Sequence, residues 1–493
     1  MKKFSLLILF LLSAQLIFAQ FEDDILRFSR ISNQGTARSA AMGGAFGALG
    51  GDLSAISGNP AGIGVFRKSE INFTPLINFS HTKSNGRESE RNSFQLANMG
   101  FVVSINRANS DWRGFNFAFN YTNLNNFNRI LDQTIWDSEN SLLDVYAWAA
   151  YETPTANLDN FSTGIAYDTY LLDSVRPGPE YAPVLHVGDL VDQYKYIKEK
   201  GNQGEYAFTF GTNYKDIVYL GATLGLQSIY YKLTSTYSEY AHASASGLNQ
   251  FHKPEFLKIS GSGVNFKFGA IYRPIPEVRI GLAIHTPTWY NIDYRFSTYM
   301  NSRFDDTNPD NGRVYTEYQS NEYLDKREVD MKTPWRAIVS VASVLAQRAI
   351  ISVDYEYVDY AYGEYNNAND YADFHYINNT ISDLYQGTHN LRIGAEYRVN
   401  SVFSLRGGYS FMESPYKDKG YSFVNSIPGG DKLETISGGI GLNFGQVYFD
   451  AAFTHMYGKD KTVFYYVDQD LSAQTIKNKY TNNQARISVG IRF

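Results

Sequence analysis

From residue 70 to the end of the chain, apolar and polar residues alternate in fourteen separate segments. In the third segment, for example, Phe115, Phe117 and Phe119 alternate with Asn116 and Ala118. A period of two indicates strands with one apolar face and one polar face. Each segment is close to the roughly 9–11 residues that a tilted strand needs to cross a bilayer. The segments are 70–80, 93–106, the one beginning at 112, 205–214, 217–231, 261–273, 278–288, 335–345, 349–360, 389–398, 402–411, 435–444, 446–457 and 485–493.

The links between these segments decide between a soluble sandwich and a membrane barrel. Short links (107–111, 215–216, 274–277, 346–348, 400–401 and 445) alternate with long ones (81–91, 124–204, 232–260, 289–334, 361–388, 412–434 and 458–484). Tight turns on one side and long loops on the other are typical of an outer-membrane barrel. A two-sheet sandwich also alternates in hydropathy but does not sort its links in this way. The sequence therefore predicts an all-β, 14-stranded antiparallel transmembrane β-barrel, closed by pairing its first strand with its last.

The residues before the strands divide into two parts. Residues 1–19 have a basic start at Lys2 and Lys3, an apolar stretch and a small-residue cleavage point after Ala19, which predicts a secretory signal peptide. No apolar run long enough for a membrane helix follows it. We expect residues 20–67, which include a stretch rich in Gly, Ala and Ser at 35–66, to form a short helical hatch inside the barrel of residues 68–493. The alternative is a flexible leader with no fixed position.

Composition excludes several function classes. The net charge of −6 is too mild for a nucleic-acid partner. The absence of cysteine removes disulfides and thiolate metal sites. We see no nucleophile–base pair and no metal spacing among the eight histidines, so we predict no enzyme, no cofactor and no metal. The stretch from Asp305 approximates a calcium loop, but Gly312 falls one place too late, and an ordinary acidic loop is the better interpretation.

The sequence resembles the FadL/TodX family of outer-membrane transporters of hydrophobic compounds, in versions from Bacteroidetes-type Gram-negative bacteria. The resemblance rests on ARSAAMGGAFGALGGDLSAISGNPAG, which is similar to the family's hatch, on FGAIYRPIPEVRIGLAIHTP, and on TPWRAIVSVASVL. It implies a fourteen-stranded barrel with an N-terminal hatch. It also implies a hatch motif for ligand binding at Asn59, Pro60 and Ala61, and passive inward diffusion of fatty acids or aromatic hydrocarbons.

Basic residues on the predicted inner face are candidates for holding a ligand carboxylate. They are Lys267, Arg279, Arg392, Arg398 and Arg406. The alternative is a lumen of salt bridges to Asp354, Glu356 and Glu396 that only holds the strands in register.

Two further sets of candidates lie in the third strand and in the long loop after it. The family has a break in its third strand, and the Asn-rich tract here suggests a lateral opening at Asn120, Asn123 and Asn125. Apolar loop residues, some with helical spacing, predict a capture surface, unless that helix only packs on neighbouring loops. They are Trp136, Leu142, Leu143, Tyr146 and Trp148.

The leading functional hypothesis is passive outer-membrane transport of long-chain fatty acids or other hydrophobic molecules, with capture at the external loops, binding in the lumen, and hatch movement or lateral opening. We expect a monomer that contacts outer-membrane lipid. A haem or hydrophobic-ligand receptor and a barrel subunit of a secretion system are the alternatives.

Overall fold

The computed structural model is a closed antiparallel sheet with helical segments inside it and in its external loops. It describes residues 21–32, 35–107, 109–175, 179–186, 188–242, 246–308, 312–346, 348–366, 374–418, 430–465 and 474–493. The expected signal peptide, residues 1–19, lies outside the described residues.

The described residues form twenty-two strands, numbered in chain order. They are β1 Glu70–Ser84, β2 Arg87–Asn106, β3 Trp112–Asn126, β4 Arg129–Ser138, β5 Leu172–Ser174, β6 Tyr181–Pro183, β7 Val191–Tyr214, β8 Val218–Ala241, β9 Leu248–Ile275, β10 Val278–His285, β11 Trp289–Thr298, β12 Asn301–Asn308, β13 Gly312–Gln319, β14 Tyr323–Lys332, β15 Arg336–Leu345, β16 Ala349–Asp359, β17 Glu364–Asn366, β18 Gly387–Arg398, β19 Phe403–Met412, β20 Leu433–Asn443, β21 Val447–Thr462 and β22 Ile476–Arg492.

The wall has fourteen strand positions, which we call staves. Twelve are single strands, one is β10 continued by β11, and one is β14 continued by β15. The order around the barrel is β1, β2, β3, β7, β8, β9, β10/β11, β15/β14, β16, β18, β19, β20, β21 and β22. The ring closes where β22 pairs with β1, from Glu70–Arg492 to Ser84–Asn478. This pairing joins the first strand to the last, so the sheet has no free edge strand. The predicted fold class is confirmed.

The outer face of the wall is apolar and the inner face is polar. Phe73, Leu282 and Ile487 are about half exposed on the outside. Their strand neighbours Asn72, Thr74 and Ser488 are buried inside. Large exposed apolar side chains around a closed sheet are what a lipid-facing surface requires. None of the helices in the described ranges is long and apolar enough to span a membrane.

Two neighbouring staves are interrupted at the same place. The chain leaves the ladder at Pro287, between β10 and β11, and at Pro334, between β14 and β15. The two breaks are tied together, since Thr333 donates its backbone N–H to the Thr288 carbonyl at 3.1 Å and Thr288 donates to Thr333 Oγ1 at 2.9 Å. Proline has no N–H to donate to a ladder, so both staves are interrupted there.

Strands that were expected to end at the membrane surface continue beyond it. The predicted loop 81–91 is instead a two-residue turn at Asn85 and Gly86, both at positive φ, and β1 and β2 remain paired up to it. The predicted loop 124–204 likewise contains β4 and the first half of β7. The prediction of these two loops is wrong because strand pairing needs neighbours and not lipid, so polar strands extend into water.

The helices lie in two groups. The first group precedes β1: α1 at 21–29, α2 at Ala37–Ala41, α3 at Ala55–Gly58 and a 3₁₀ turn at Pro60–Val65. The second lies in the external loops: α4 at Leu142–Ala150, α5 at Thr163–Asp168 and α6 at His375–Leu384, with 3₁₀ turns at Thr155–Asn157 and Tyr360–Tyr362.

Candidate functional site

The segment 35–66, which we call the hatch, lies against the inner face of the wall. The wall residues beneath part of it are glycines, which have no side chains, and we call this patch the glycine shelf. Gly211, Gly221 and Gly269 are cross-strand partners on β7, β8 and β9. A Cβ on Gly221 would collide with the backbone of Pro60, and one on Gly269 with the side chain of Asn59. Glycine is required here because hatch backbone and wall backbone approach closely.

Asn59, Pro60 and Ala61 are therefore buried at the contact between hatch and wall. Asn59 Nδ2 donates to the Gly47 carbonyl at 2.6 Å and to the Ala270 carbonyl of β9 at 3.3 Å. Asn59 Oδ1 accepts from the Ala61 backbone at 3.0 Å. With these bonds Asn59 joins two parts of the hatch to the barrel, and its amide is fully used within the protein.

Wall side chains hold the rest of the hatch through its backbone. Asp354 accepts from the Gly47 N–H at 2.9 Å, and Ser488 accepts from the Ala37 N–H at 2.7 Å. Arg279 donates to the Leu49 carbonyl. Arg38 of α2 pairs with Glu396 at 2.9 Å. Because these bonds come from many staves, the hatch is fixed at several independent points.

Above the hatch, α1 lies in the lumen toward the long-loop end of the barrel. Its apolar side chains Phe21, Ile25, Leu26 and Phe28 belong to one buried cluster with aromatic residues of the wall and of α6. Phe21 meets Tyr294 and Tyr365 edge-on, with ring centroids 5.0 and 5.1 Å apart. The described segment 21–32, which includes α1, is called the leader below.

The leader also carries acidic groups into this apolar space. Burial raises the pKa of Glu22 to about 7. Burial raises the pKa of Asp23 to about 8, with Arg27 opposing the shift and Glu22 adding to it. Asp24 pairs with Arg27 one turn along the helix. The protonated leader therefore fits the lumen better than the ionised leader does.

A small cavity of about 80 Å³, called the main cavity below, lies between the leader, the hatch and the wall. Phe28, Phe46 and Ile338 contribute apolar surface to it. Its ionic groups are Lys267, Arg336, Arg392, Asp354 and Glu356. A pocket with apolar walls and a few convergent polar groups is the usual form of a small-molecule site.

The five basic candidates take different positions. Lys267 and Arg392 line this cavity, where Lys267 pairs with Glu205 and Arg392 pairs with Glu356 at 3.1 Å. Arg398 and Arg406 lie at a second cavity near the short turns, where Arg406 bridges Glu396 at 2.7 Å and Asp450 at 2.5 Å. Arg279 holds the hatch. The structure thus brings only two of the five together with the main cavity.

The backbone ladder between β2 and β3 stops partway up the wall. The last pair is Asn98 with Thr122, although both strands continue. Ala97 is an extra residue in β2 opposite β1, and Leu124 is an extra residue in β3 opposite β7. Bulges are common beside functional sites because they end a ladder and redirect side chains.

Beyond that point the seam between β2 and β3 is closed by side chains. Asn123 donates to Gln95 at 3.1 Å, Gln95 donates to Asn126 at 3.0 Å, and Asn126 donates to Ser93 at 3.3 Å. Higher up, Arg87 of β2 pairs with Asp132 of β4 at 2.9 Å. This side-chain seam lies between the ladder and the β4 contact. Thr122 and Leu124 at its lower end also line the main cavity.

The three asparagines expected at a lateral opening lie along this seam. Asn120 is buried just below it and donates to Thr122 at 2.7 Å. Asn123 bridges it. Asn125 faces inward, donating to the Arg30 carbonyl at 2.9 Å and accepting from the Ser32 N–H at 2.9 Å. The seam is therefore bonded directly to the leader.

The external candidates divide between buried and exposed positions. Leu142, Leu143 and Tyr146 of α4 are buried in a loop cluster, while Trp136 and Trp148 are 57% and 44% exposed. A capping box at Ser141 and Asp144 begins α4, and Glu239 of β8 accepts from Leu142 N at 2.8 Å. Helix α4 thus packs on neighbouring loops and presents one tryptophan.

Several important residues were missed from the sequence. Arg336 donates to the Ser29 carbonyl of the leader and lies 3.5 Å from Glu356. Glu205 pairs with Lys267 inside the lumen. Their inward parity within the predicted strands was the available signal. The bulges at Ala97 and Leu124 left no such signal.

Three side chains of types that can bind a metal ion lie together at the external rim. Asp137, Asp192 and His242 lie together, but the two His242 nitrogens face the two carboxylates at 3.6 and 2.9 Å, which describes an ion-pair cluster. In the calcium-like stretch, Asp306 and Asn308 belong to the hairpin of β12 and β13, and residue 310 lies outside the described residues.

Comparisons with known proteins agree with this architecture. The family described as "Outer membrane protein transport protein (OMPP1/FadL/TodX)" matches residues 207–493, more than half of the chain. A Pseudomonas aeruginosa FadL homologue is 13% identical, with a TM-score of 0.57, and the match covers 94% of this chain and 99% of that one. The Pseudomonas putida toluene transporter TodX is 11% identical, with a TM-score of 0.51 over 94% and 99% of the two chains.

The CymD monoaromatic hydrocarbon channel is 10% identical, with a TM-score of 0.51 over 93% and 97% of the two chains. At these identities the likeness shows the fold. No curated protein sequence matches the chain. The family match rests on the sequence itself, and the chain belongs to the OMPP1/FadL/TodX family of outer-membrane channels for hydrophobic compounds.

Proposed function

We propose that the protein imports long-chain fatty acids or similar hydrophobic molecules passively across the outer membrane, acting as a monomer. The observation that carries this proposal is the position of the main cavity, which touches the leader on one side and the lower end of the side-chain seam on another. An apolar molecule released there meets the lipid without crossing the hatch. Phe94, the most exposed apolar side chain of β2, lies on the outer face beside the seam.

In this route the external loops capture the ligand, with Trp136 and Trp148 as the exposed contacts. Displacement of the leader admits the ligand to the cavity. Because Asn125 bonds both to the leader backbone and within the wall, movement of the leader removes bonds from the seam. The hatch remains seated during this movement. The expected cleavage after Ala19 places residue 20 at the start of the mature leader.

A fatty-acid head group would bind at the polar end of the cavity. Arg336 and Arg392 both pair with Glu356, and each guanidinium has five N–H donors, more than one shared carboxylate can fill. A second carboxylate next to Glu356 would use the remaining donors. A neutral hydrocarbon lacks such a group, so Arg392→Met should reduce fatty-acid uptake much more than toluene uptake in proteoliposomes.

The lateral route can be tested with disulfides, because the chain has no cysteine of its own. We expect oxidation of a Gln95→Cys, Asn123→Cys variant to stop fatty-acid uptake into proteoliposomes, and a reductant to restore it. The matched control is Val103→Cys with Phe117→Cys, which links the same two strands inside the intact ladder. Full uptake with the Gln95–Asn123 link closed would contradict the lateral route.

A further inference from the structure

Five basic residues form one lateral row on the outer face of the barrel, above the lipid-facing band. They come from five neighbouring strands, β7, β8, β9, β11 and β14. Each is the direct cross-strand partner of the next, in the order Lys200, Lys232, Lys258, Arg295 and Lys326. We call them the cationic row.

The cationic row lacks carboxylate partners of its own. All five side chains are exposed, and within the described part of the chain no carboxylate lies at ion-pair distance from any of them. The acids nearest in sequence to Lys200, Lys258 and Lys326 are Glu199, Glu255 and Asp325, which lie on the inner face and pair with Arg129, Lys253 and Arg327. Like charges directly opposite one another destabilise a sheet, so the row is unfavourable without an external anion.

The two ends of the row differ in their surroundings. Asp293 and Glu328 lie opposite each other, one outward position closer to the membrane than Arg295 and Lys326. At the other end, the corresponding outward residues are Asn202, Tyr230 and Ser260, all uncharged, and Lys258 lies 5.8 Å from the Tyr230 ring. Lys200, Lys232 and Lys258 are thus the part with the strongest unbalanced positive charge.

The height of the row fits a lipid head group. Leu226 and Trp289 are exposed at the upper end of the apolar band, with Tyr230 between that level and Lys232. Six residues separate Leu226 from Lys232, which is roughly 15 Å along the membrane normal for a strand tilted by about 40°. A lysine that extends toward the membrane places its ammonium lower than its Cα. Four strand spacings make the row about 19 Å wide.

We propose that the cationic row binds the phosphate groups of a phosphorylated lipid in the outer leaflet. Lysine ammonium groups bind phosphate as point charges, and their exposed, in-register positions allow one multiply charged head group to contact several of them. The bound lipid neutralises the like-charge row and holds the long-loop side of β7, β8 and β9 at a fixed depth. This role goes beyond ligand transport and involves neither the cavity nor the seam.

The test compares lipid binding by native mass spectrometry of the full-length protein in detergent. The probes are bisphosphorylated lipid A, the same lipid without phosphates, and inorganic phosphate. We expect the bisphosphorylated lipid to bind selectively, and Lys200→Gln, Lys232→Gln, Lys258→Gln to weaken it at least about tenfold. The matched control, Lys68→Gln, Lys215→Gln, Arg348→Gln, removes the same charge at the short-turn end and should bind like the parent protein.

Equal binding of the phosphate-free lipid would overturn the proposal, as would equal weakening in both triple variants. Saturation of the row by inorganic phosphate in place of the lipid would overturn the lipid as its occupant, as would pairing of two protein copies through the row without lipid. Fatty-acid uptake by the Lys200, Lys232, Lys258 variant should be unchanged when it is measured in vesicles that contain no phosphorylated lipid. A failed lipid result therefore stays separate from a failed transport result.

Discussion

The hatch and the leader lie in the same lumen, but their docking depends on different side chains. The hatch sits on glycines and is bonded through its backbone to Asp354, Ser488 and Arg279, which come from three different staves. The leader is also bonded through its backbone, to Asn125, Gln203, Arg336 and Tyr385, but its docking further depends on four large apolar side chains in one cluster, and it carries acids that burial disfavours ionising. Because ionisation of these acids opposes docking, the proposed route assigns displacement to the leader.

The largest effect should come from shortening one leader side chain. Ile25→Ala removes a fully buried side chain from the cluster and should weaken leader docking by about 2–5 kcal/mol. The measurement is the maleimide labelling rate of a Ser29→Cys reporter in the leader. The matched control, Ile275→Ala, alters an exposed isoleucine of the wall and should leave the labelling rate unchanged.

The same experiment includes a check on the hatch. A Ser39→Cys reporter in the hatch should label equally slowly with and without Ile25→Ala. Faster labelling of both reporters would show that leader and hatch move as one body, and the contrast drawn above would be wrong.

The second effect is a pH dependence confined to the leader. Because burial raises the pKa of Glu22 from 4.5 to about 7, the docked leader is most stable below pH 4.5, where the carboxyl is protonated in both states. That stability is lost as the pH rises toward 7 and, for Asp23, toward about 8. The Glu22 contribution alone is on the order of 3 kcal/mol.

Labelling of the Ser29→Cys reporter, corrected for thiolate reactivity with a free-thiol standard, should therefore accelerate between pH 5 and 9. Glu22→Gln with Asp23→Asn should remove most of this acceleration. A slope that survives in the double variant would locate the titrating groups elsewhere.

A smaller effect is expected from crowding the glycine shelf. Gly221→Leu places a side chain against Pro60 and should destabilise the seated hatch by about 1–3 kcal/mol. Single-channel recording in planar bilayers should then detect more frequent open-pore events. Gly58→Ala is the control, since a Cβ there meets no atom within 4 Å, and it should behave as the parent protein does.

The smallest effect should come from the bond between leader and seam. Asn125→Ala removes the amide that serves Arg30 and Ser32, worth about 1 kcal/mol. We expect modestly faster labelling at Ser29→Cys together with faster fatty-acid uptake. Asn120→Ala, which removes a hydrogen bond to Thr122 of the wall, should change uptake without changing leader labelling. If the two variants behaved identically, the seam and the leader would not be coupled through Asn125.

Features with a local period were predictable from the sequence. Fourteen strands and a closed ring could be predicted from two patterns. One is the alternation seen at Phe115, Phe117 and Phe119, and the other is the regular change from short to long links. The helix at Leu142–Ala150 followed from its apolar spacing in the same way. These patterns arise because one face of a strand or helix contacts polar surroundings and the other contacts apolar ones. The polarity of each residue therefore indicates which face it is on.

Features that depend on pairing between distant segments were not predictable. The ladder ends at Asn98 because Ala97 and Leu124 are each extra with respect to a different neighbour, and neither residue looks unusual in its own strand. The use of Arg279 to hold Leu49, and not a ligand, depends on where the hatch backbone passes. The turn at Asn85 and Gly86 was missed because strand length was judged by membrane thickness.

The paired breaks at Pro287 and Pro334 have a consequence for how such a protein can diversify. Below them, β10 and β15 form a regular ladder in the lipid-facing zone, and above them β11 and β14 form a second ladder that continues toward water. Insertions or exchanges in the hairpins beyond the prolines therefore need not propagate into the embedded part. New external architecture can be acquired there while the portion that must insert into the membrane is inherited unchanged.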